Sequence, residues 1–335
     1  MSVPSRRRVP ALLSDVYGSF ALLAGMQLDL FTPLADGPTR ADDLAGRLNI
    51  DAGRLHRLLR ALAAWDLVKA LPDGRFANSE EAEKCLVRGR PGYLGGAHEA
   101  FSTGWRACLT TAESVRNGCP GSPLDFAGDD PSSLVGVLRG LAPQAASSAR
   151  ELLDLCDLSA CRRLLDVAGG SGALAANLCR ALPQLEAAIV ELPQIAPATR
   201  QLLDEQRQQG AGEIDRVSVI TADAVTGPLP RDHDLIVMRF FLQVLSPSAI
   251  IDALRQAWLA LSSGGRLAIL GYVLDDDGKG PAMALGADLL FLNYYQDGAA
   301  YTEAEYRSWL ATAGFGDVER KAMRGGLSAL LTVKP

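Results

Sequence analysis

The sequence predicts an α/β protein, with a doubly wound sheet of parallel strands in its C-terminal half and a mostly helical domain before it. Three observations carry this. From Arg163 onward, short β-like runs alternate with amphipathic helical stretches, the pattern of parallel strands joined by crossover helices. The first run opens directly into a glycine-rich loop and a helix. The N-terminal stretch instead holds short capped helices and a hairpin. With 335 residues, 48 % of them apolar and 21 % charged, the chain can bury two domain cores, which excludes intrinsic disorder and a disulfide miniprotein.

Residues 11–31 place Leu12, Val16, Phe20, Leu23 and Leu28 at helical spacing, an amphipathic helix or helix pair. Thr39 is expected to cap a helix Ala41–Leu48, and Asp51 a second helix Gly53–Trp65. Leu67–Leu71 and Arg75–Ala77, joined by Pro72-Asp73-Gly74, read as a hairpin. Two helices, a turn and a small hairpin make a winged helix-turn-helix. Arg54, Arg57 and Arg60 would be its phosphate contacts if it read DNA. Leucines cover much of the same helix, residues 1–95 carry 13 Lys+Arg against 11 Asp+Glu, and the chain's formal charge is −6, so a dimerisation module fits better than nucleic acid.

Residues 96–160 are expected to be mostly helical, containing Phe101, Trp105 and Phe126 and broken by Gly118–Pro123. Residues 161–335 hold the expected strands Leu164–Ala168, Ala188–Glu191, Val217–Thr221, Asp234–Phe241 and Gly265–Leu270. Ser5-Arg6-Arg7-Arg8-Val9 faintly resembles a twin-arginine export signal, but Asp15 interrupts the apolar run that follows and no small-residue cleavage site appears. No apolar stretch is expected to reach the roughly 18 to 20 residues that span a bilayer, so no membrane partner is expected. Six cysteines without a CxxC pair read as reduced core thiols of a cytoplasmic protein.

The chemistry is expected at the sheet edge. The first strand ends in Asp166-Val167-Ala168-Gly169-Gly170-Ser171-Gly172, followed by a helix Ala175–Ala181. Glycines there let backbone pass close to a ligand, although a tight strand–helix turn would also use them. Glu191 ends the second strand, 19 residues after Gly172, where it could accept both hydroxyls of a ribose, and Asp223 closes the third. Capping carboxylates are the plainer reading of both. Asp275-Asp276-Asp277 reads as a solvated turn, and no metal constellation is found.

These motifs, with Val190-Glu191-Leu192-Pro193, Ala222-Asp223, Leu261-Ser262-Ser263-Gly264-Gly265, Tyr301-Thr302-Glu303-Ala304-Glu305 and Ala313-Gly314-Phe315, resemble a class I S-adenosylmethionine-dependent methyltransferase. More narrowly they resemble the plant and bacterial O-methyltransferases related to caffeate and acetylserotonin O-methyltransferases, over nearly the whole chain. The resemblance implies a Rossmann-like catalytic domain, a winged-helix dimerisation domain (1–95), a pocket-capping segment (96–160) and a homodimer. It implies S-adenosylmethionine as cofactor, with Asp166, Gly169, Gly170, Ser171 and Gly172 in its loop, Glu191 on the ribose, Asp223 and Ala224 flanking adenine, and Arg239 and Phe240 against it.

That family places a catalytic His in a stretch of the form basic-x-x-Leu-His-Asp-Trp. Here the stretch is Arg239-Phe240-Phe241-Leu242-Gln243-Val244-Leu245, and Gln243 can hydrogen-bond a substrate but cannot take a proton at neutral pH. Gly271 and Ala300 stand where two His-orienting glutamates are aligned. Of the 3 histidines, His233 reads as a surface loop residue and His56 as structural or solvent-facing. His98 is the weak base on offer, against the plainer reading of a satisfied helix residue. Phe101, Trp105, Tyr294 and Tyr295 are expected aromatic walls, Asp288 and Asn293 expected ligand hydrogen-bonders, and Tyr17 is expected to reach across a dimer. An acceptor needing no strong base follows, namely an acidic oxygen, nitrogen, sulfur or activated carbon of a small secondary metabolite. The alternatives are a cofactor-binding enzyme that does not methylate (hydroxylase or pericyclase type) and, more remotely, a winged-helix DNA-binding regulator.

Overall fold

A computed structural model describes residues 8–90, 92–124 and 131–335, so Phe126 and the Arg6-Arg7 pair lie outside the described residues. The chain divides into two compact units, Met1–Ser102 and Thr103–Pro335.

The first unit runs α1 (Arg8–Gln27), α2 (Phe31–Leu34), β1 (Thr39–Arg40), α3 (Ala41–Leu48), α4 (Ala52–Ala64), β2 (Val68–Ala70), β3 (Arg75–Asn78) and α5 (Glu80–Cys85). Asp51 caps α4 as expected, accepting the Arg54 amide at 2.7 Å. Thr39 does not cap α3. Pairing of β1 with β3 pulls Thr39 into a three-stranded antiparallel sheet ordered β1-β3-β2, where its hydroxyl donates to the Gly37 carbonyl and Arg40 becomes the N-cap. Leu44, Leu55, Leu59 and Leu62 fill the core under that sheet with Phe31. Arg54, Arg57 and Arg60 lie exposed on the other side of α4.

Helix α1 corrects the reading of its length. Val9–Gln27 forms one helical stretch of 19 residues, long and apolar enough to cross a membrane, because a helix absorbs the single charge of Asp15 without interruption. Its inner side buries Ala21 and Met26, whereas Val9, Leu12, Leu13, Val16 and Tyr17 are exposed.

The second unit follows α6 (His98–Cys108), which begins in the first, with α7 (Thr111–Asn117), α8 (Pro131–Leu155), β4 (Arg163–Val167), α9 (Ala173–Ala181), β5 (Glu186–Glu191), α10 (Ala196–Gln208), β6 (Val217–Thr221) and β7 (His233–Arg239). Then come α11 (Pro247–Ala260), β8 (Leu261–Gly271), β9 (Val273–Leu274), α12 (Ala282–Tyr294), β10 (Tyr301–Thr302), α13 (Glu303–Ala313), β11 (Val318–Ala322) and β12 (Ser328–Val333). The main sheet is ordered β11-β12-β8-β7-β4-β5-β6. Strands β4 to β8 are parallel, and β11 and β12 add an antiparallel edge that strand-by-strand reading missed.

Residues alternate across this sheet. Leu164, Leu235, Val237 and Ala268 face one core with α8 and α9, and Leu165, Ile236, Met238 and Leu267 face the other with α11 and α13. The order reverses at β4, whose neighbours are β5 and β7, and a crevice at strand ends belongs at such a reversal.

Two expected strands end early because Ala168 and Phe240 turn to φ 57° and 54°, and the Ser262–Gly265 segment lies inside β8. His233 is not a surface residue. It starts β7 and is 3 % exposed, its pKa lowered by burial first and by the charge of Arg163. Nor do most cysteines sit in the core: Cys179 alone is buried, Cys119 is exposed, and the other four are half-buried.

Candidate active site

Four strand ends, those of β4 to β7, and the helix before the sheet line a cavity of about 580 Å³. Its floor is the loop after β4, where Ala168, Gly169, Gly170 and Ser171 line the space. A Cβ on Gly169 would stand 2.7 Å from the Asp166 carboxylate, so this position excludes any side chain unless that carboxylate moves. Gly172 caps α9 at φ 73° and packs its bare Cα against Leu203 and Ile189 instead of lining the cavity. The loop is pinned from both sides. The Gly170 amide donates to Glu191 Oε1 at 2.6 Å, and its carbonyl accepts from the buried Thr199 hydroxyl at 2.6 Å.

Asp166 is fully buried at the cavity floor, and neither carboxylate oxygen makes a hydrogen bond of ordinary geometry. Burial pushes its pKa up to about 7, the charge of Glu191 adds to that, and Arg239 pulls the other way. Burial also raises Glu191 to about 7, against the Gly170 and Leu192 amides that favour its charged form. Asp223, at the third strand end, differs: burial works to raise it, but the Val225 amide and the Thr226 hydroxyl hold it below its usual range. Arg239, at the end of β7 beside β4, also lines the cavity, with no carboxylate at ion-pair distance among the described residues. Its Nε donates to Ser148 Oγ at 3.0 Å, its guanidinium sits 4.4 Å over the Phe240 ring, and burial lowers its pKa to about 10.

A buried pair of acids without full hydrogen bonding, facing a glycine floor no side chain can fill, fits a ligand that brings its own positive charge and hydroxyls. An O-methyltransferase domain matches residues 116–316, and an O-methyltransferase dimerisation domain matches residues 11–88. The chain belongs to the O-methyltransferase family. It is a methyltransferase whose cofactor is S-adenosylmethionine. The chain is 33 % identical to a 3-hydroxy-5-methyl-1-naphthoate 3-O-methyltransferase of Streptomyces sahachiroi, over 94 % of this chain and 92 % of that one. It is 31 % identical to the tetracenomycin polyketide synthesis 8-O-methyl transferase TcmO of Streptomyces glaucescens, over 95 % and 94 %. A solved structure of PigF with SAH superposes at a TM-score of 0.82 and 25 % identity, covering 99 % of this chain and 100 % of that one.

Against this family background, several side chains stand elsewhere than expected. Gln243 does not line the cavity. It is 4 % exposed, in a short 3-10 turn over Leu242–Val244, and its Oε1 accepts the Tyr272 amide at 3.4 Å. A Cβ on Gly271 would lie 2.7 Å from the same oxygen, so Gln243 occupies the space that a side chain at 271 would need. Asn293 is fully buried and committed to the protein. Its Nδ2 donates to Leu289 O and Thr111 Oγ1, and its Oδ1 accepts from Ser114 Oγ at 2.7 Å and Thr110 Oγ1 at 3.3 Å. Asp288 likewise accepts the Ala300 amide. Neither lines the cavity: Asn293 ties α12 to α7, and one Asp288 oxygen holds the loop at Ala300.

Trp105 and Tyr294 lie outside the cavity lining, which leaves Tyr295 as the expected aromatic wall that does line it. Tyr17, His98 and Phe101 belong to the first unit, where Tyr17 and Phe101 are exposed and His98 half-buried. The main wall missed from sequence is α8: Leu134, Leu138, Leu141 and Ala145 line the cavity at spacings of four, three and four. That stripe was legible as a helix face, but nothing local says what it faces.

Proposed function

We propose that this chain methylates an acidic hydroxyl of a small aromatic secondary metabolite, by positioning rather than by a side-chain base. The observation that carries this is Gln243, a non-basic residue at the family's base position whose side-chain oxygen accepts the Tyr272 backbone amide. Relatives named for a hydroxynaphthoate and a polyketide support the aromatic acceptor. S-adenosylmethionine supplies an electrophilic methyl group on a sulfonium. Glu191 holds its ribose, Asp223 and Ala224 flank its adenine, and Asp166 and Arg239 face its methionine portion. The apolar end of the cavity, with Phe241, Val244 and Leu245, excludes water from the acceptor. The active form is a cytoplasmic homodimer, supported by the dimerisation domain and by six free cysteines.

Incubation with methyl-labelled S-adenosylmethionine and a panel of hydroxyaromatic, amine and thiol acceptors tests this. Label on an aromatic oxygen is the expected result. Label on nitrogen, sulfur or carbon alone would overturn the oxygen assignment, and conversion without S-adenosylhomocysteine would point to the non-methylating alternative.

A further inference from the structure

We propose that the Tyr295 hydroxyl donates a hydrogen bond to the acceptor oxygen and holds it as its conjugate base, so that the substrate is a phenol or enol bound as the anion. This rests on the methyl-transfer reading above and adds to it the residue and the ionisation state.

The cavity's titratable lining groups among the described residues are Asp166, Glu191, Asp223, Arg239 and Tyr295. The three acids gather at the glycine loop and the neighbouring strand ends. Arg239 is turned to Ser148 and lies over Phe240. Tyr295 remains, on the apolar wall it shares with Phe241, Val244 and Leu245.

Its ring is fixed. The Tyr295 amide closes α12 on Phe291 O at 2.8 Å, and the ring meets those of Phe291 and Tyr294 at 5.9 and 6.0 Å. From the far side, a Cβ on Gly298 would stand 2.9 Å from Tyr295 Cβ, so the following loop closes against it. The side chain is half-buried, and its hydroxyl makes no hydrogen bond to any described residue and keeps some accessible surface, so it is open to a ligand. Burial and the neighbouring Tyr294 push its pKa up to about 12, so it keeps its proton at neutral pH and is available as a hydrogen-bond donor. The other charged or titratable groups around it are Tyr272, in the same apolar cluster, Asp288, held by the Ala300 amide, and across the cavity the three acids and Arg239.

A donor of this kind favours an anion over the neutral alcohol, since hydrogen bonds to charged partners are the stronger ones. The acceptor's proton leaves to solvent on binding. Its oxygen lone pair then forms the new carbon–oxygen bond as the methyl carbon's bond to sulfur breaks, with that electron pair remaining on sulfur. No side chain has to take a proton, which matches a site without a histidine at position 243.

The test uses the full-length protein loaded with S-adenosylhomocysteine and two chromophoric phenols, 4-nitrophenol and a nitronaphthol, titrated from pH 5 to 9. The bound probe is expected to ionise about one pH unit below the free probe, a tenfold preference for the anion. Tyr295→Phe should abolish that shift and weaken binding of the anion roughly ten- to a hundredfold, with melting temperature and S-adenosylhomocysteine affinity unchanged. A bound probe that ionises at or above the free value, a shift that survives in Tyr295→Phe, or the absence of saturable probe binding overturns the proposal. Loss of S-adenosylhomocysteine binding in the unmutated protein would instead overturn the methyl-transfer reading itself.

Discussion

Asp166 and Glu191 set the residue-scale behaviour, because both carboxyls are raised to about 7 in the ligand-free protein. An acid raised on folding is bound more tightly to its proton in the native state than in the unfolded one. Stability is therefore lost as pH rises from the unfolded carboxyl value, near 4, through about 7. Cofactor affinity runs oppositely, since a cationic ligand wants the ionised acids. Calorimetric titration with S-adenosylmethionine should show affinity falling as pH drops from 8 to 6. Asp166→Asn should flatten that profile, weaken binding at pH 8 at least tenfold, and raise the ligand-free melting temperature at pH 8 by the equivalent of about 1–2 kcal/mol; an unchanged profile would contradict this account. Gln243 makes the complementary case. Gln243→Ala removes the acceptor for the Tyr272 amide and opens a void over Gly271, so we expect a loss of about 1–3 kcal/mol in denaturant unfolding and less than a tenfold drop in kcat. Abolished turnover with intact cofactor binding would show that the amide touches the reacting atoms.

At the scale of elements, α12 and α7 are joined beside Tyr295 through one buried amide. Asn293 joins Thr110, Thr111 and Ser114 to the last turn of α12, two residues before Tyr295. The Ser122 amide adds a bond to the Asn293 carbonyl, fastening the next loop to the same point. Asn293→Leu strands several polar groups at once and should destabilise the protein by about 2–4 kcal/mol. At temperatures where it stays folded, it should raise the acceptor KM several-fold while the cofactor dissociation constant holds, a split that initial-rate kinetics and calorimetry measure separately. The loop after β4 is the opposite kind of element, rigid because backbone rather than side chain is fixed. Gly169→Ala drives a methyl against Asp166, and we expect cofactor affinity to fall at least tenfold with little change in fold by circular dichroism.

At the scale of the whole molecule, α1 leaves Leu12, Leu13, Val16 and Tyr17 in water, a stripe that a lone protomer does not cover within its own unit. The dimerisation domain matched over residues 11–88 includes that stripe. Leu13→Glu should shift the protein from dimer to monomer in light scattering, and an unchanged mass would remove α1 from the interface. Much of the architecture was legible in advance. The β4 loop, Glu191 and Asp223 were readable because strand ends carry glycines and acids at fixed spacing, and β6 was read to its boundaries because every residue of Val217–Thr221 except Ser218 is β-branched. The β11–β12 edge was not, since Val318-Glu319-Arg320-Lys321-Ala322 is mostly polar and takes strand form only by pairing with β12. Nor was the commitment of Asn293, because its partners at 110–114 lie about 180 residues away in sequence.

The sequence by itself determined most of the elements, the strand-end acids and the absence of a histidine at position 243, because propensity, periodicity and residue identity are local properties. Tertiary structure alone decided which side chains reach the cavity. Gln243 turns over Gly271, Asn293 is consumed by α7, Tyr295 is left with a bare hydroxyl, and the α8 stripe becomes a wall. Each outcome depends on which distant atoms arrive to satisfy or crowd a polar group, and burial makes that competition decisive.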